Sequence, residues 1–364
     1  MRFQTVAERG QKIRGSAFSD PIFRIPAITV TATGRILVAY DVRSDWRDLP
    51  ADFDIVFRYS DDKGETWSEP ALLRSHTPGH GFGDASLLTN PETGTILCWY
   101  VGSTGESYFS ARAGRPGLEL WLATSDDDGL TWTHRDYSSL RPNQVAGMFT
   151  SSGNGAITGE GALLQTFVAR IDDRNYAICA SSVDNGETWT MGEPVGPDCD
   201  ENKVVALDDG TILMHARATP ARRQGFSADL GKTFTPLVPV ALLQDPACNG
   251  GLARIGRLLF ASMCDDAVHR TRLSVHVSSD EARSWSAPIL IDDGAAAYSA
   301  LVVIDDDTLG LVWEADDYQS IVFTSLSVSE LMACVKDEQS RSLKHIRHGS
   351  PGWAKPPVVN EHNN

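Results

Sequence analysis

Short runs rich in apolar and β-branched residues recur along the whole chain, and turn-forming residues separate them. Residues 54–59 (DIVFRY) and 273–277 (LSVHV) are examples. Runs of this length that favour valine, isoleucine and aromatic residues are typical of β-strands. No apolar stretch approaches the roughly 20 residues that a membrane-spanning helix needs. The pattern therefore predicts an all-β fold with no insertion into a membrane.

One eight-residue motif, S-x-D-x-G-x-T-W, occurs five times, with its terminal aromatic residues 45 to 65 residues apart. The copies begin at Ser60, Ser125, Ser182, Ser227 and Ser278; the fourth ends in Phe, and the fifth is degenerate. Their acidic runs lack the ligand pattern of an EF-hand calcium loop. An Asp carboxylate can accept backbone N–H bonds in a tight turn, Gly permits a positive φ, and the aromatic ring packs between strands. We therefore interpret the motif as structural.

A second repeat, a turn followed by an apolar strand, occurs six times. The turns lie at Gly34, Gly94, Gly161, Gly210, Gly256 and Asp307. Each of the first five is followed 17 to 31 residues later by one copy of the eight-residue motif. Six four-stranded units of about 55 residues would use roughly 330 residues of the chain. The repeats therefore predict a six-bladed β-propeller, organised as one domain over residues 1–364.

Residues from about 328 to 364 lie outside the repeats and are expected to form a C-terminal extension. Ser329 is placed to cap a short helix over residues 330–335, and the remainder is polar. His345 and His348 lie in this tail without a third ligand, so we expect no zinc site there. The six cysteines are widely spaced with no C-x-x-C pair, which favours neither a metal site nor disulfides and fits a reducing compartment.

The composition is that of an ordinary globular protein, since 41% of residues are hydrophobic and 22% are charged. The 32 basic and 48 acidic residues leave a net charge of −16, which argues against nucleic acid as a partner. The N-terminus has no apolar segment typical of a secretory signal. We therefore expect a cytoplasmic protein, or a secreted one if a leader has been removed.

Residues 23–26 (FRIP), followed by the five motifs, resemble the bacterial and animal exo-α-sialidases (neuraminidases), whose fold is a six-bladed propeller. The resemblance extends from about Arg24 to Phe323. Four further stretches carry it, and these are residues 40–43 with Asp48, residues 200–203, residues 298–301 and residues 313–318. It implies hydrolysis of terminal α-ketosidically linked sialic acids from glycoconjugates or oligosaccharides. It also implies retention through a tyrosyl-linked covalent intermediate, a sialylated glycan as substrate and no cofactor.

The resemblance assigns the chemistry to Tyr298 as nucleophile, Glu201 as its base and Asp48 as acid/base carboxylate. A carboxylate nucleophile would be repelled by the substrate's own carboxylate, whereas a neutral tyrosine avoids this repulsion; sialidases are the glycosidases that use one. Because the ordinary pKa of tyrosine is near 10, the phenol needs a base within hydrogen-bond reach, the role implied for Glu201. Asp48 would protonate the leaving oxygen and then deprotonate the attacking water.

The resemblance also implies six substrate-binding residues, which are Arg24, Arg217, Arg270, Arg43, Asp84 and Glu314. The first three would form a triad of planar, permanently charged donors for the substrate carboxylate. Arg272 is a rival for Arg270 within this triad. Glu314 would steady Arg24, while Arg43 and Asp84 would contact the sugar near O4.

The spacing of these residues supports a shared location without the resemblance. Arg24, Asp84, Glu201 and Tyr298 precede the turns of their own units by nine or ten residues, and Arg217 and Glu314 follow theirs by seven. In a propeller, equivalent positions of successive blades ring the axis at one height. The sequence therefore predicts that these side chains converge on one central mouth.

Three alternatives stay open beside hydrolysis of common sialic acids. They are a preference for the deaminated sugar Kdn, transfer or intramolecular anhydro chemistry, and a non-catalytic sialic-acid-binding propeller. The last would have to lack one of the three catalytic residues, and all three are present. The pocket for the N-acyl group is predicted to include Trp99, Tyr100 and Phe149. Linkage preference and oligomeric state are left open.

Overall fold

The computed structural model describes residues 1–112 and 114–337, in which antiparallel β-sheets dominate. The described strands are β1 (Gln4–Glu8), β2 (Ile22–Val30), β3 (Ile36–Arg43), β4 (Phe53–Ser60), β5 (Ala71–Arg74), β6 (Gly81–Thr89), β7 (Ile96–Ser103), β8 (Glu119–Ser125), β9 (Thr133–Asp136), β10 (Gly147–Thr150), β11 (Gly153–Asn154), β12 (Ala156–Ile157), β13 (Leu163–Ile171), β14 (Arg174–Ser182), β15 (Thr190–Met191), β16 (Asn202–Ala206), β17 (Ile212–Ala216), β18 (Ala221–Ser227), β19 (Val238–Gln244), β20 (Gly251–Ile255), β21 (Leu258–Cys264), β22 (Thr271–Ser278), β23 (Ile289–Asp305), β24 (Thr308–Ala315) and β25 (Ser320–Ser327). One 3₁₀ turn covers Ser138–Leu140, and residues 328–337 are helical. None of the helices in this part of the chain is long and apolar enough to cross a membrane.

The strands form six blades in which successive strands pair antiparallel. The first blade contains β2 to β5 and the second contains β6 to β9. The third is built from β10 and β12 to β15, and the fourth from β16 to β19. The fifth and sixth blades share the long strand β23, whose first half pairs with β22 and whose second half pairs with β24. The predicted six-bladed β-propeller is therefore confirmed.

The N-terminal strand closes the ring. Strand β1 pairs with β25 of the sixth blade and places Gln4 opposite Phe323, so the first described strand and the last one lie in the same sheet. The repeats in the sequence do not reveal this pairing, because β1 precedes the first of them. The added strand covers the edge of β25, whose backbone groups would otherwise stay unpaired.

Both sequence repeats occupy equivalent places in the blades. The six turns join the first strand of a blade to the second, and the five motifs join the third to the fourth. In the first motif, Asp62 accepts hydrogen bonds from the backbone N–H and the hydroxyl of Thr66 at 2.9 and 2.6 Å. Trp67 packs edge-on against Phe323 of the sixth blade, with ring centroids 5.3 Å apart. Each motif is thus a hydrogen-bonded turn that also links neighbouring blades.

Apolar side chains fill the layers between adjacent blades. Trp99 of β7 is fully buried, and its ring lies 5.3 Å from that of Phe167 and 5.2 Å from that of Trp189 in the third blade. Five of the six cysteines are buried as free thiols, and Cys334 is exposed. These layers hold the blades at fixed angles around the axis, because each blade packs one sheet face against each neighbour.

The helix after the last strand begins earlier than predicted. Residues 328–337 are helical, and Ser327 Oγ accepts a hydrogen bond from the Glu330 N–H at 3.3 Å. Ser327 rather than Ser329 therefore caps the helix, because its hydroxyl reaches the third helical N–H. Ser329 donates its own N–H to Asp307 Oδ1 at 3.0 Å.

The innermost strands of neighbouring blades contact one another around the axis. Each of them runs from one end of the ring to a turn at the other end, where the eight-residue motifs also lie. We refer to these as the cleft end and the turn end. Residues near the start of an innermost strand, or near the end of the second strand, consequently meet at the cleft end.

Candidate active site

A cavity of about 270 Å³ opens on the axis at the cleft end. Eight of the nine predicted site residues line it, and these are Arg24, Arg43, Asp48, Asp84, Glu201, Arg217, Arg270 and Tyr298. The ninth, Glu314, lies behind Arg24 with 1% of its surface exposed. The structure therefore brings the predicted residues together from five of the six blades, either on their strands or in the loops beside them.

β-Bulges interrupt the innermost strands beside three of these residues. The pairing register shifts next to Arg24 in β2, Asp84 in β6 and Tyr298 in β23. Ile25 and Asp84 have φ angles of 59° and 57°, in a region that a β-branched residue rarely adopts. A bulge changes the direction of a side chain relative to simple alternation. The backbone strain is thus located where side chains must turn toward the axis.

Three guanidinium groups surround the ring of Tyr298. The Cζ atoms of Arg24, Arg217 and Arg270 lie 5.7, 5.9 and 5.5 Å from the ring centroid. All three line the same cavity, and guanidinium groups gathered around one small volume suit a planar anion that can accept several charge-assisted hydrogen bonds. A carboxylate is the simplest ligand of that kind.

The choice between Arg270 and Arg272 follows from packing. Arg270 donates hydrogen bonds to Tyr318 Oη at 3.1 Å and to the Ala247 carbonyl at 2.9 Å, which directs its guanidinium into the cleft. Arg272 is exposed and does not line the cavity. Two residues along a strand share a face, so the separation reflects the left-handed backbone of Arg272, whose φ is 58°.

Glu314 holds Arg24 and the backbone around it. Its Oε1 accepts hydrogen bonds from Arg24 Nε at 2.6 Å and from the Ile25 N–H at 2.8 Å. Its Oε2 accepts the N–H of Tyr298 at 3.2 Å. Burial works against the guanidinium charge, but Glu314 outweighs this effect, so the pKa of Arg24 is raised. One buried carboxylate thereby positions the first arginine and the predicted nucleophile together.

Arg217 links Glu201 to Tyr298. Its Nη1 donates to Glu201 Oε2 at 2.5 Å and to Tyr298 Oη at 2.8 Å. Within the described residues no direct hydrogen bond joins Glu201 to Tyr298, although the sequence prediction places the base within hydrogen-bond reach. Burial and the charge of Glu201 raise the pKa of Tyr298 well above its ordinary value, against Arg217 and Arg270, which lower it. The phenol is therefore neutral before a substrate enters.

Arg43 connects Asp48 to a carboxylate whose role the sequence interpretation missed. It donates to Asp41 Oδ2 at 2.7 Å and to Asp48 Oδ1 at 3.1 Å. Asp48 lies at the rim with 76% of its side chain exposed, whereas Asp41 is fully buried. Burial raises the pKa of Asp41 to about 6, although Arg43 opposes the rise. The signal was available, because two charged residues on one face of a buried strand must pair.

Asp84 is half-buried beside this pair. Its backbone N–H donates to Asp41 Oδ1 at 3.1 Å, and its carbonyl accepts a hydrogen bond from the Thr150 hydroxyl. Burial and the nearby Asp41 raise the pKa of Asp84, while Arg43 lowers it. A carboxyl group that takes up a proton readily can donate a hydrogen bond to a sugar oxygen as well as accept one.

Aromatic side chains form a wall that the sequence interpretation did not assign. The ring of Tyr318 lies 4.6 Å from Arg24 Cζ, and Trp46 packs edge-on against Tyr318 at 5.4 Å. Phe149 lines the cavity, and its place in a pocket for the N-acyl group stays a prediction. The prediction of Trp99 and Tyr100 as pocket residues is wrong, because both are fully buried in the layers between blades.

No cluster of three or more histidine, cysteine or acidic side chains within residues 1–112 and 114–337 is arranged to hold a metal ion. His345 and His348 lie outside the described residues. The groups that line the cleft are instead guanidinium, carboxyl and phenol groups.

A family model described as a BNR repeat-like domain matches residues 24–311. The sialidase of Micromonospora viridifaciens is 32% identical over 323 residues, which are 81% of this chain and 50% of that protein. The Clostridium perfringens sialidase is 28% identical over 344 residues, covering 84% of this chain and 90% of the relative. A solved Hadza microbial sialidase is 27% identical with a TM-score of 0.80, and the match covers 85% of this chain and 66% of that one. The chain thus spans half the length of the first of these relatives.

Proposed function

The chain belongs to the BNR repeat-like domain family, and we propose that it is an exo-α-sialidase. It would hydrolyse terminal α-ketosidically linked sialic acids from glycoconjugates or oligosaccharides. The observation that carries the proposal is the convergence of three guanidinium groups on one half-buried phenol, with each Cζ 5.5 to 5.9 Å from the ring centroid. The sialidases among its relatives support the same reaction.

Substrate binding follows from the charge of the arginine triad. Sialic acid carries a carboxylate on its anomeric carbon, so Arg24, Arg217 and Arg270 would hold that carbon beside Tyr298. Two of the three arginines are already fixed by buried carboxylates, Arg24 by Glu314 at 2.6 Å and Arg217 by Glu201 at 2.5 Å. Donors that are positioned before binding lose little side-chain entropy when the ligand arrives.

The proposed nucleophile is Tyr298 Oη, and the proposed base is Glu201. At rest both accept from the same Arg217 nitrogen, at 2.8 and 2.5 Å. A substrate carboxylate would compete for that donor and free the phenol to turn its proton toward Glu201. Attack of the phenolate on the anomeric carbon would form the glycosyl–tyrosine bond and release the aglycone oxygen, which Asp48 would protonate.

Asp48 is suited to the second half of the reaction by its place at the rim. It is open to solvent and hydrogen-bonded to Arg43 at 3.1 Å, so a water molecule can reach it after the aglycone leaves. Asp48 would then take a proton from that water while the tyrosyl bond breaks and the proton of Glu201 returns to Tyr298. Two displacements at one carbon leave the configuration retained.

The test is release of a fluorogenic aglycone from an α-ketoside of N-acetylneuraminic acid by the wild-type protein. A matched Kdn ketoside tests the sugar preference, and a fluorogenic β-galactoside is the negative control. Proton NMR of the first-formed sugar distinguishes free α-sialic acid from an anhydro product or a transfer product. A folded protein that cleaves neither ketoside would contradict the proposal.

A further inference from the structure

Lys203 lies on the axis directly below Glu201 and has no part in the reaction proposed above. It follows Glu201 by two residues at the start of β16, so both side chains project from the same face of the innermost strand. Only 2% of Lys203 is exposed. Gly153 makes room for it, since a Cβ at that glycine would lie 3.1 Å from Lys203 Cε.

A chain of buried hydrogen bonds leads from Lys203 to Glu201. Lys203 Nζ donates to Asn249 Oδ1 at 3.2 Å, and Asn249 Nδ2 donates to Ser152 Oγ at 3.0 Å. Ser152 Oγ in turn donates to Glu201 Oε1 at 3.4 Å. All four residues are at most 2% exposed. The chain ends on the carboxylate oxygen that Arg217 leaves free, because Arg217 binds Oε2.

Every donor in this chain points toward Glu201. Aligned hydrogen bonds polarise one another, so the chain presents its positive end to the carboxylate. A buried carboxylate needs such compensation because water cannot reach it. Arg217 supplies compensation from one side of Glu201, and the chain from Lys203 supplies it from the other.

The charges that face Lys203 are those of Glu201 and Arg222. Burial lowers the pKa of Lys203 to about 7, which Glu201 opposes and Arg222 reinforces. Arg222 is itself held by the buried Asp245, with Nε and Oδ2 3.4 Å apart, and donates to the Cys248 carbonyl at 2.6 Å. Asp245 is thus compensated by Arg222. Lys203 Nζ donates instead to Asn249 Oδ1 at 3.2 Å and to the Asn202 carbonyl at 3.4 Å.

We propose that Lys203 is a positioning residue that acts through Asn249 and Ser152 to keep Glu201 ionised and oriented for proton transfer from Tyr298. The inference rests on the proposed sialidase function. Lys203 itself makes no contact with the sugar. The role of Lys203 is to control the charge state and the orientation of the Glu201 carboxylate.

The test is the pH profile of kcat and KM for the fluorogenic ketoside with Lys203→Met. The variant keeps the length of the buried stem but removes the charge and the donor. We expect kcat to fall on the order of tenfold with little change in KM, because binding of the sugar is untouched. The acid-side inflection of kcat/KM should move up by about one pH unit, since the ionised Glu201 loses a compensating charge.

Ser152→Ala provides a second variant that folds more readily, because it removes a single hydroxyl. It breaks the last bond of the chain and leaves the ammonium in place, so the inflection should move in the same direction by less. Thr29→Val is the matched control. It also removes a buried hydroxyl, one that pairs with the Thr89 hydroxyl at 2.9 Å between the first and second blades, and it should leave the pH profile unchanged.

The outcomes separate the two proposals. A wild-type protein without activity overturns the proposed function and this inference with it. If the wild-type protein is active and neither Lys203→Met nor Ser152→Ala changes the pH profile, only the role of Lys203 is overturned. If Lys203→Met does not fold, the pH profile of Ser152→Ala compared with that of Thr29→Val decides.

Discussion

Aspartates at the two ends of the propeller occupy opposite environments. At the turn end, threonine hydroxyl and backbone N–H groups lower the pKa of Asp62, Asp127 and Asp229 to about 2. At the cleft end, burial raises the pKa of Asp41 to about 6 and that of Asp84 well above its ordinary value. The turn aspartates stabilise the fold because each carboxylate has its donors within the same turn. The cleft aspartates are costly to ionise unless an arginine or a ligand supplies compensation.

The setting of the left-handed backbone conformations also differs between the turn end and the cleft end. The turns and motifs repeat with one geometry, in which each motif places a non-glycine residue such as Lys63 or Leu230, and the residue after it, in the left-handed region of a turn that its own aspartate hydrogen-bonds. At the cleft end, bulges place Ile25 and Asp84 in the left-handed region, which side chains rarely adopt. Left-handed residues at the turn end therefore lie in turns that satisfy their own hydrogen bonds, whereas those at the cleft end interrupt paired strands beside the site.

The largest expected effect comes from Tyr298→Phe at the cleft end. The change removes the hydroxyl that accepts a hydrogen bond from Arg217 and keeps the ring among the three arginines. We expect kcat to fall on the order of a thousandfold because the nucleophile is lost, while the Kd of a sialic acid analogue changes little. Enzyme assays and calorimetry on one preparation measure the two quantities. Turnover within about tenfold of wild type would refute the role of Tyr298.

Arg217→Ala should weaken binding of a sialic acid analogue by about 3 kcal/mol. The change removes a charged donor from the carboxylate site and leaves the buried Glu201 unpaired on one side. Calorimetry measures the affinity. Arg272→Ala is the matched control, because Arg272 is exposed outside the cavity and should have no effect. If Arg217→Ala and Arg272→Ala bind the analogue with equal affinity, Arg217 does not belong to the triad that holds the carboxylate.

The pH dependence of unfolding sharpens the contrast between the two ends. The pKa of Asp41 is about 6, above the value of about 3.9 for an unfolded aspartate. The folded state binds the extra proton between these values, so the stability contributed by this group falls as pH rises from about 4 to 6.

Asp41→Asn should remove that fall, on the order of 2 kcal/mol across the interval. Urea unfolding of the wild type and the variant at three pH values between about 4 and 6 measures the difference. Parallel stability curves for the two proteins would show that Asp41 titrates alike in the folded and unfolded chains.

The smallest effect is expected at the turn end. Asp62 has a lowered pKa of about 2, so its stabilisation is present above about pH 4 and is lost as pH falls toward 2. Asp62→Ala should lower Tm by about 2 °C at neutral pH and leave kcat unchanged. Glu65→Ala, an exposed change in the same turn, is the control. Calorimetric scans check both, and a loss of activity in Asp62→Ala would break the division between the two ends.

The parts of the fold that could be predicted depend on local chemistry. The motifs around Asp62 and the turns near Gly34 form their own hydrogen bonds, so their sequence alone indicates where each blade folds back. Their constant phase relative to Arg24 and Tyr298 also indicated a shared end of the ring. Pairing of β1 with β25 could not be predicted in this way, because no local pattern records which distant strand covers an edge.

Parts of the site could not be predicted because they depend on packing between distant segments. The burial of Trp99 and Tyr100 depends on the neighbouring blade. Arg270 and Arg272 point to different places because the backbone of Arg272 is left-handed, and the position of Arg217 between Glu201 and Tyr298 depends on where two blades meet.

The sequence by itself determined the all-β class, the six blades, and the residues that gather at the cleft end. These follow from periodicity and turn chemistry, which act over a few residues. Only the tertiary structure decided which carboxylates become buried, which bulges turn side chains toward the axis, and how Lys203 reaches Glu201 through Asn249 and Ser152. Burial and hydrogen bonding between segments far apart in the chain control these features. No single segment of the sequence specifies either of them.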